Sequence, residues 1–112
     1  MTSLIKHPEQ AIETVICEAH GLYIKQVVVP RAFSFAPMHA HVLSHITLLT
    51  QGSVHLWIDG EYFDEKHAPT PIYIEAGVKH LFQTLEDNTT FYCVHELTSP
   101  QALAILEEHN II

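Results

Sequence analysis

Three histidines fall within seven residues of the stretch MHAHVLSHITLLTQG, which runs from Met38 to Gly52. The chain has ten histidines in 112 residues, and imidazole is the commonest metal ligand among protein side chains. His39 and His41 are two residues apart, so in a strand they lie on one face, about 6.6 Å apart at ~3.3 Å per residue. Two rings at that spacing can bind one ion at the ~2.1 Å distance typical of metal–nitrogen bonds. The stretch therefore predicts a metal site.

His45 has the same parity as His41, but four residues of straight strand would place it about 13 Å away. We therefore expect two strands with a bend near residues 42–44. A helix would place His41 and His45 on one face, yet it leaves His39 pointing away and includes several β-branched residues. The alternative to a metal site is that these are unrelated, half-exposed histidines of a sheet.

A fourth candidate ligand, His80, occurs in the segment IEAGVKHLF. Gly77 turns the chain there, and His80 opens a predicted strand in which Phe82 shares its face. Spacing alone does not show that His80 meets the other three histidines.

Short strands are predicted over most of the chain. Seven segments from Leu22 onward are short, rich in β-branched and aromatic residues, and separated by Gly, Pro, Asp or Asn: LYIKQVVV, HITLLT, SVHLWI, EYFDEK, TPIYIE, KHLFQTL and TTFYCVHEL. Asp59-Gly60 predicts a tight hairpin turn, because both central residues of such a turn need φ > 0. Seven or eight short strands at this spacing predict an antiparallel sandwich or barrel.

The two ends of the chain have different patterns. Ile12, Val15 and Ile16 recur at helical spacing, but their β-branched side chains suit a strand equally, so both alternatives stay open. At the other end, SPQALAILEEHN predicts one short helix. Ser99 can cap that helix, and Pro100 suits its first position.

Composition and charge restrict the classes of partner. The length and the 47% hydrophobic content suit one domain over residues 1–112. A formal charge of −8 with five Lys and Arg disfavours nucleic acid as a partner. The apolar runs are too short to span a bilayer and the N-terminus lacks a signal-peptide core, so we expect a cytoplasmic protein away from membranes. Cys17 and Cys93 are expected to be buried, reduced thiols.

The segment from His39 to Thr84 resembles the two-part signature of the cupin superfamily, G-x5-H-x-H-x3,4-E-x6-G followed by G-x5-P-x-G-x2-H-x3-N. Four residues match the first part: His39, His41, His45 at the acidic position, and Gly52. Gly77 and His80 match the second part. The departures are Phe33 at the opening glycine, Pro69 and Glu75 at the second part's first glycine and proline, and Thr84 at its asparagine.

Because His45 replaces the acidic ligand, the chain looks like the small, single-domain cupins with an all-histidine, four-ligand site. The resemblance implies an all-β jelly-roll barrel. The short C-terminal helix predicted above would follow the last strand of that barrel. It also implies a metal inside the barrel, with four ligands: His39, His41, His45 and His80. Such cupins are commonly homodimers, often with exchanged N-terminal strands.

The implied cofactor is one divalent transition metal, iron, manganese, nickel, copper or zinc, since imidazole suits all five. Four neutral ligands leave the charge of the ion uncompensated, which favours an anionic guest. A six-coordinate ion would keep two positions for a substrate oxygen and dioxygen. The resemblance to cupin dioxygenases then implies a metal-dependent oxygenase acting on a small oxygenated organic molecule. The alternative is a non-catalytic cupin that binds or senses a metal or small ligand.

Four residues are expected to line the pocket: Phe35, Met38, Phe82 and His95. The first three would form an apolar mouth for a small substrate, and His95 shares parity with Phe91 and Cys93 inside the barrel. Plain core packing is the alternative for Phe35, Met38 and Phe82. His55 alternates with apolar neighbours and is expected at the surface or in an interface.

Overall fold

The computed structural model describes residues 11–38 and 44–96, and all regular elements in these two ranges are β-strands. In chain order they are β1 (Ile12–Ala19), β2 (Leu22–Val29), β3 (Phe35–Met38), β4 (His45–Gln51), β5 (Ser53–Ile58), β6 (Glu61–His67), β7 (Thr70–Ile74), β8 (His80–Thr84) and β9 (Thr89–Glu96). The predicted segments LYIKQVVV and SVHLWI coincide with β2 and β5. The predicted C-terminal helix, and His39 and His41, lie outside the described residues.

The alternative left open for the N-terminal segment is settled in favour of a strand. β1 pairs with β2 in an antiparallel hairpin, whose turn has His20 and Gly21 at φ 57° and 78°. Among the strands of residues 11–38 and 44–96, β1 has β2 as its single neighbour, and most of its residues are exposed. β-branched residues therefore follow their strand preference here, although apolar residues also recur at helical spacing.

Two antiparallel sheets make up the described fold. The first has five strands in the order β1-β2-β9-β4-β7, and the second has four in the order β3-β8-β5-β6. Neighbours in each sheet come from distant parts of the sequence, since β9 lies between β2 and β4, and β8 lies between β3 and β5. This confirms the prediction of an antiparallel sandwich or barrel. The described ranges contain no helix with the length and apolar character needed to cross a membrane.

The core lies between the two sheets and follows the two-residue period of the strands. In β9, Phe91, Cys93 and His95 are buried, while the residues between them are partly exposed. The rings of Phe82 on β8 and Phe91 on β9 meet edge to face with centroids 5.5 Å apart. Because β8 and β9 belong to different sheets, this contact joins the two inner faces.

In two turns, the backbone conformation explains which residues are present. Asp59 and Gly60 have φ of 50° and 86°, as predicted for the tight turn between β5 and β6. Gly52, between β4 and β5, has φ 91°, and a Cβ there would lie 2.5 Å from Oγ1 of Thr89. The close approach of the β4–β5 turn to the start of β9 therefore requires glycine.

Candidate metal centre

Three buried histidines lie at the same end of the two sheets. His45, His80 and His95 are 4%, 4% and 3% exposed. β4 begins at His45 and runs to the turn at Gly52, which touches Thr89 at the start of β9. His95 is near the end of β9, so it lies at the end of the sheet where His45 lies, and the antiparallel pairing of β4 with β9 brings the two side by side.

His80 reaches that same end from the opposite sheet. β8 begins at His80 and ends at Thr84, which pairs with Val54 beside the Gly52 turn. His80 itself pairs with Ile58, at the far end of β5 from that turn. The three histidines are therefore all remote from the Gly52 turn, with the apolar core between them and it.

His45 and His95 are in direct contact. Their rings are stacked, with centroids 4.2 Å apart and planes inclined by 28°. Tyr23 of β2 lies on the other side of His95, with ring centroids 6.0 Å apart, and its backbone pairs with that of His95. Burial is the main cause that raises the pKa of the Tyr23 phenol above its usual value of 10.0, so the phenol is neutral near pH 7.

The orientation of the His80 ring is set by a backbone carbonyl. Its Nδ1 lies 3.0 Å from the carbonyl oxygen of Val78. A carbonyl only accepts hydrogen bonds, so Nδ1 carries the proton and the lone pair of the neutral ring is on Nε2. Histidines that bind metals ordinarily donate their other ring N–H in this way.

The turn before His80 is attached to two neighbouring segments. Asp59 donates its backbone N–H to the carbonyl of Lys79 at 2.8 Å, and its Oδ1 accepts from the Lys79 N–H at 3.1 Å. On the other side of the turn, the N–H of Ala76 donates to Oγ of Ser44 at 3.0 Å. Ser44 directly precedes His45, so these contacts couple the positions of His80 and His45.

His39 and His41 fall in residues 39–43, outside the described ranges, but the residues on either side are placed. The backbone of Met38 pairs with that of His80, and Ser44 adjoins His45. Residues 39–43 therefore follow Met38, the strand partner of His80, and precede Ser44, which adjoins His45. Within residues 11–38 and 44–96, no three His, Cys, Asp or Glu side chains form a group that could hold a metal. The four-histidine site therefore stays a prediction.

Two of the residues predicted to line the pocket, Phe35 and Phe82, lie on opposite faces of the four-stranded sheet. Phe82 is in the core at 1% exposure. Phe35 pairs with Gln83, which pairs with His55, and residues paired directly across strands share a face. Phe35 is therefore on the outer face, where its ring lies 6.2 Å from that of Trp57. A common apolar mouth formed by Phe35 and Phe82 does not fit this register.

A second group of histidines lies outside the barrel. His55 Nε2 is 3.1 Å from Oε1 of Glu65, and His67 Nε2 is 2.7 Å from Oε2 of the same carboxylate. Hydrogen bonds from His55 and then His67 hold the pKa of Glu65 below its usual value of 4.5. His55 has the outward orientation expected from its position between Val54 and Leu56, and sequence reasoning missed its pairing with Glu65.

Comparison with known proteins identifies the fold. No protein-family model matches the chain, and no curated protein matches its sequence. Among solved structures, KdgF from Halomonas sp. is similar with a TM-score of 0.68 and 14% identity over 83% of this chain and 84% of that one. An RmlC-like cupin family protein with a double-stranded β-helix fold, from Methanocaldococcus jannaschii, has a TM-score of 0.66 and 20% identity over 84% and 85%.

A cupin 2 domain-containing protein from Halorhodospira halophila gives a TM-score of 0.67 and 13% identity over 94% of this chain and 82% of its own. The structural neighbours are consistently cupins or RmlC-like proteins. The chain therefore has the all-β cupin fold, the double-stranded β-helix, which confirms the fold class expected from the resemblance.

Proposed function

We propose that this protein is a metal-binding cupin that acts as a metal-dependent oxygenase on a small oxygenated organic molecule. In this proposal four histidines hold one divalent transition metal: His39, His41, His45 and His80. The observation that supports it is the burial of His45 and His80 at one end of the barrel. Residues 39–43 lie in the chain between Met38, which pairs with His80, and Ser44, which precedes His45. The donor chemistry also fits, because neutral imidazoles are ligands for all the candidate metals.

His80 and two buried apolar residues would shape such a site. His80 presents the lone pair of Nε2, because Val78 holds the Nδ1 proton. Ile74, which pairs with His45 across strands, and Phe82, two residues from His80 in β8, are both buried and would give the site an apolar inner side. A metal bound there would supply Lewis-acid and redox chemistry.

Among the described residues, no carboxylate is buried, so histidine is the main candidate for proton transfer in the interior. In the described ranges, the buried polar side chains are histidine, threonine or serine, and none is a carboxylate: His45, Thr47, Ser53, His80, Thr84, Thr89 and His95. The chemistry of an oxygenase would therefore depend on the metal. The same observation favours the second candidate, a cupin that binds or senses a metal or small ligand without turnover.

Metal analysis of the purified protein tests the site. The wild type is expected to bind about one redox-active divalent metal per chain, and His45→Ala and His80→Ala are expected to lose it. His67→Ala is the matched control, because His67 is exposed and bound to Glu65 on the outer face. Equal metal content in all four proteins would refute the proposed ligands.

Oxygen uptake by the metal-loaded protein then separates the two functions. The substrates offered are small carbonyl and phenolic compounds, with His80→Ala as the inactive control. Uptake that depends on both metal and compound supports the oxygenase. A bound redox-active metal without uptake supports the binding or sensing protein, and a site that accepts only zinc argues against the oxygenase.

We also propose that the protein is a homodimer, with β1 in the interface. Three apolar side chains of β1 are exposed: Ile12, Val15 and Ile16. β1 is also the edge strand of its sheet as far as the described strands go, and such edges are usually covered. Light scattering should give a dimer for the wild type and for Glu18→Lys, but a monomer for Val15→Lys/Ile16→Lys. A monomeric wild type would contradict this arrangement.

A further inference from the structure

We infer that His95 is a positioning residue for His45, holding the His45 ring in the orientation that metal binding requires. The inference rests on the proposed function, since it gives His45 the role of ligand. It adds a fifth histidine, which is outside the predicted ligand set and acts through stacking instead of coordination. The geometry that carries it is a row of three buried rings on three adjacent strands, Tyr23 on β2, His95 on β9 and His45 on β4.

The contact restrains the ring torsion of His45, together with the hydroxyl of Thr47, whose Oγ1 lies 3.4 Å from His45 Nε2. Rotation about Cβ–Cγ of histidine has broad minima, so an isolated ring samples a wide range of directions. A flat ring 4.2 Å away and inclined by 28° opposes rotation of the His45 ring onto its edge. His45 is therefore held in one plane before any ligand arrives, which reduces the entropy lost on binding.

His95 is itself prevented from moving aside. Tyr23 is completely buried and lies 6.0 Å from His95, ring centroid to ring centroid. Tyr23 and His95 are also directly opposite in the β2–β9 register. A displacement of His95 away from His45 would therefore require Tyr23 to move within a packed sheet.

The chemical type of residue 95 argues against a purely space-filling role. The same inner face of β9 carries Phe91 and Cys93 in the hydrophobic core. An apolar side chain at position 95 would fill the same volume without bringing the polar ring nitrogens of an imidazole into the interior. A buried imidazole against a candidate ligand is better explained by what it does to that ligand.

The test compares metal binding in the wild type, His95→Ala, His95→Phe and Phe91→Leu, by titration with Co²⁺ and by the visible spectrum of the bound ion. Loss of an outer partner of a metal-binding histidine typically lowers affinity about 10–100-fold, and His95→Ala is expected to fall in this range with an altered Co²⁺ spectrum. His95→Phe keeps a flat ring against His45 and should restore most of the affinity. Phe91→Leu is the control for loosening of the β9 core and should bind as the wild type does.

A second measurement needs no metal. In the NMR spectrum of the metal-free wild type, cross-relaxation between ring protons of His45 and His95 is expected, and the His45 ring signals should shift in His95→Ala. The absence of ring-to-ring cross-relaxation in the wild type would overturn the inference directly. Thermal unfolding of each variant identifies any that fails to fold. If His95→Ala does not fold, the Co²⁺ affinity of His95→Phe is compared with that of Phe91→Leu.

The outcomes separate the two proposals. If the wild type and His45→Ala bind Co²⁺ equally, His45 is not a ligand, and both the proposed site and the positioning role are refuted. If His45→Ala loses the metal while His95→Ala binds it with wild-type affinity and spectrum, only the positioning role is refuted.

Discussion

The Nδ1 atom of His80 lies 3.0 Å from the carbonyl oxygen of Val78, two residues earlier in the chain. This local contact selects one tautomer of the ring and leaves Nε2 as its acceptor atom. Because Val78 belongs to the turn attached to Asp59 and Ser44, the tautomer of His80 depends on how that turn is held. The first two predictions follow from this relationship.

The neutral His80 ring is predicted to be protonated on Nδ1. Long-range ¹H–¹⁵N correlation spectra of the metal-free protein, recorded at a pH where the ring is neutral, distinguish the two tautomers by the ¹⁵N shifts. His67 serves as an exposed reference in the same spectrum. A proton found on Nε2 of His80 would show that Val78 does not select the tautomer.

Replacement of Asp59 is predicted to destabilise the protein and weaken the site. Asp59→Ala removes the Oδ1 acceptor of the Lys79 N–H and places alanine at φ 50°. The lost hydrogen bond costs about 1 kcal/mol, and the left-handed conformation about another 1–2 kcal/mol. Asp59→Asn tolerates this φ and keeps an acceptor oxygen, so it should stay within about 1 kcal/mol of the wild type. Urea unfolding measures both, and equal loss in the two variants would contradict the prediction.

Alanine at Gly52 is predicted to be far more harmful than alanine at Gly21. Both glycines have positive φ, 91° and 78°, so both substitutions carry backbone strain of about 1–3 kcal/mol. At Gly52 the new Cβ would also lie 2.5 Å from Thr89 Oγ1 and 3.1 Å from its Cα, whereas nothing lies within 4 Å at Gly21. The free energy of unfolding should therefore fall by at least about 1 kcal/mol more for Gly52→Ala, within the range for overpacking. Similar denaturation midpoints would show that the Gly52 turn can move away from Thr89.

Stability is predicted to fall at alkaline pH, in part because of Cys93. Burial raises the pKa of its thiol above the ordinary value of 9.0. The folded protein then keeps this proton to a higher pH than the unfolded chain does, so the stabilisation is complete below pH 9 and is lost as pH rises through the folded-state pKa. Cys93→Ala should show a shallower decline of the free energy of unfolding above pH 9.

The matched control for that measurement is Cys17→Ala. Cys17 is only partly buried, unlike Cys93, so the expectation of two buried thiols was right for Cys93 alone. Cys17→Ala is expected to keep the alkaline slope of the wild type. If Cys93→Ala and the wild type decline in parallel, the thiol of Cys93 does not contribute to the pH dependence.

Much of the strand pattern could be predicted because it depends on neighbouring residues. β2 and β5 were predicted with their observed bounds, and the Asp59-Gly60 turn has the two positive φ values that its sequence requires. The signals there are side-chain alternation and backbone sterics, which act over a few residues. At β1 the same local signals were balanced, and pairing with β2 decided the outcome.

The candidate site was predictable to a smaller extent. Parity placed His45 and His80 on inner faces, and both are buried. Parity also suggested that His95 faces inward, but its stacking on His45 depends on β4 and β9 being neighbours. Phe35 is close to the histidines in sequence, but the β3–β8 register places it opposite Gln83 on the outer face.

By itself, then, the sequence determined most of the strands and their faces, the tight turns and the set of candidate ligands, since each follows from the chemistry of residues close together in the chain. Only the tertiary structure decided which strands are neighbours, and so which histidines meet. Strand order and register depend on burying apolar faces from distant segments together, and that long-range packing brings Tyr23, His95 and His45 into one row.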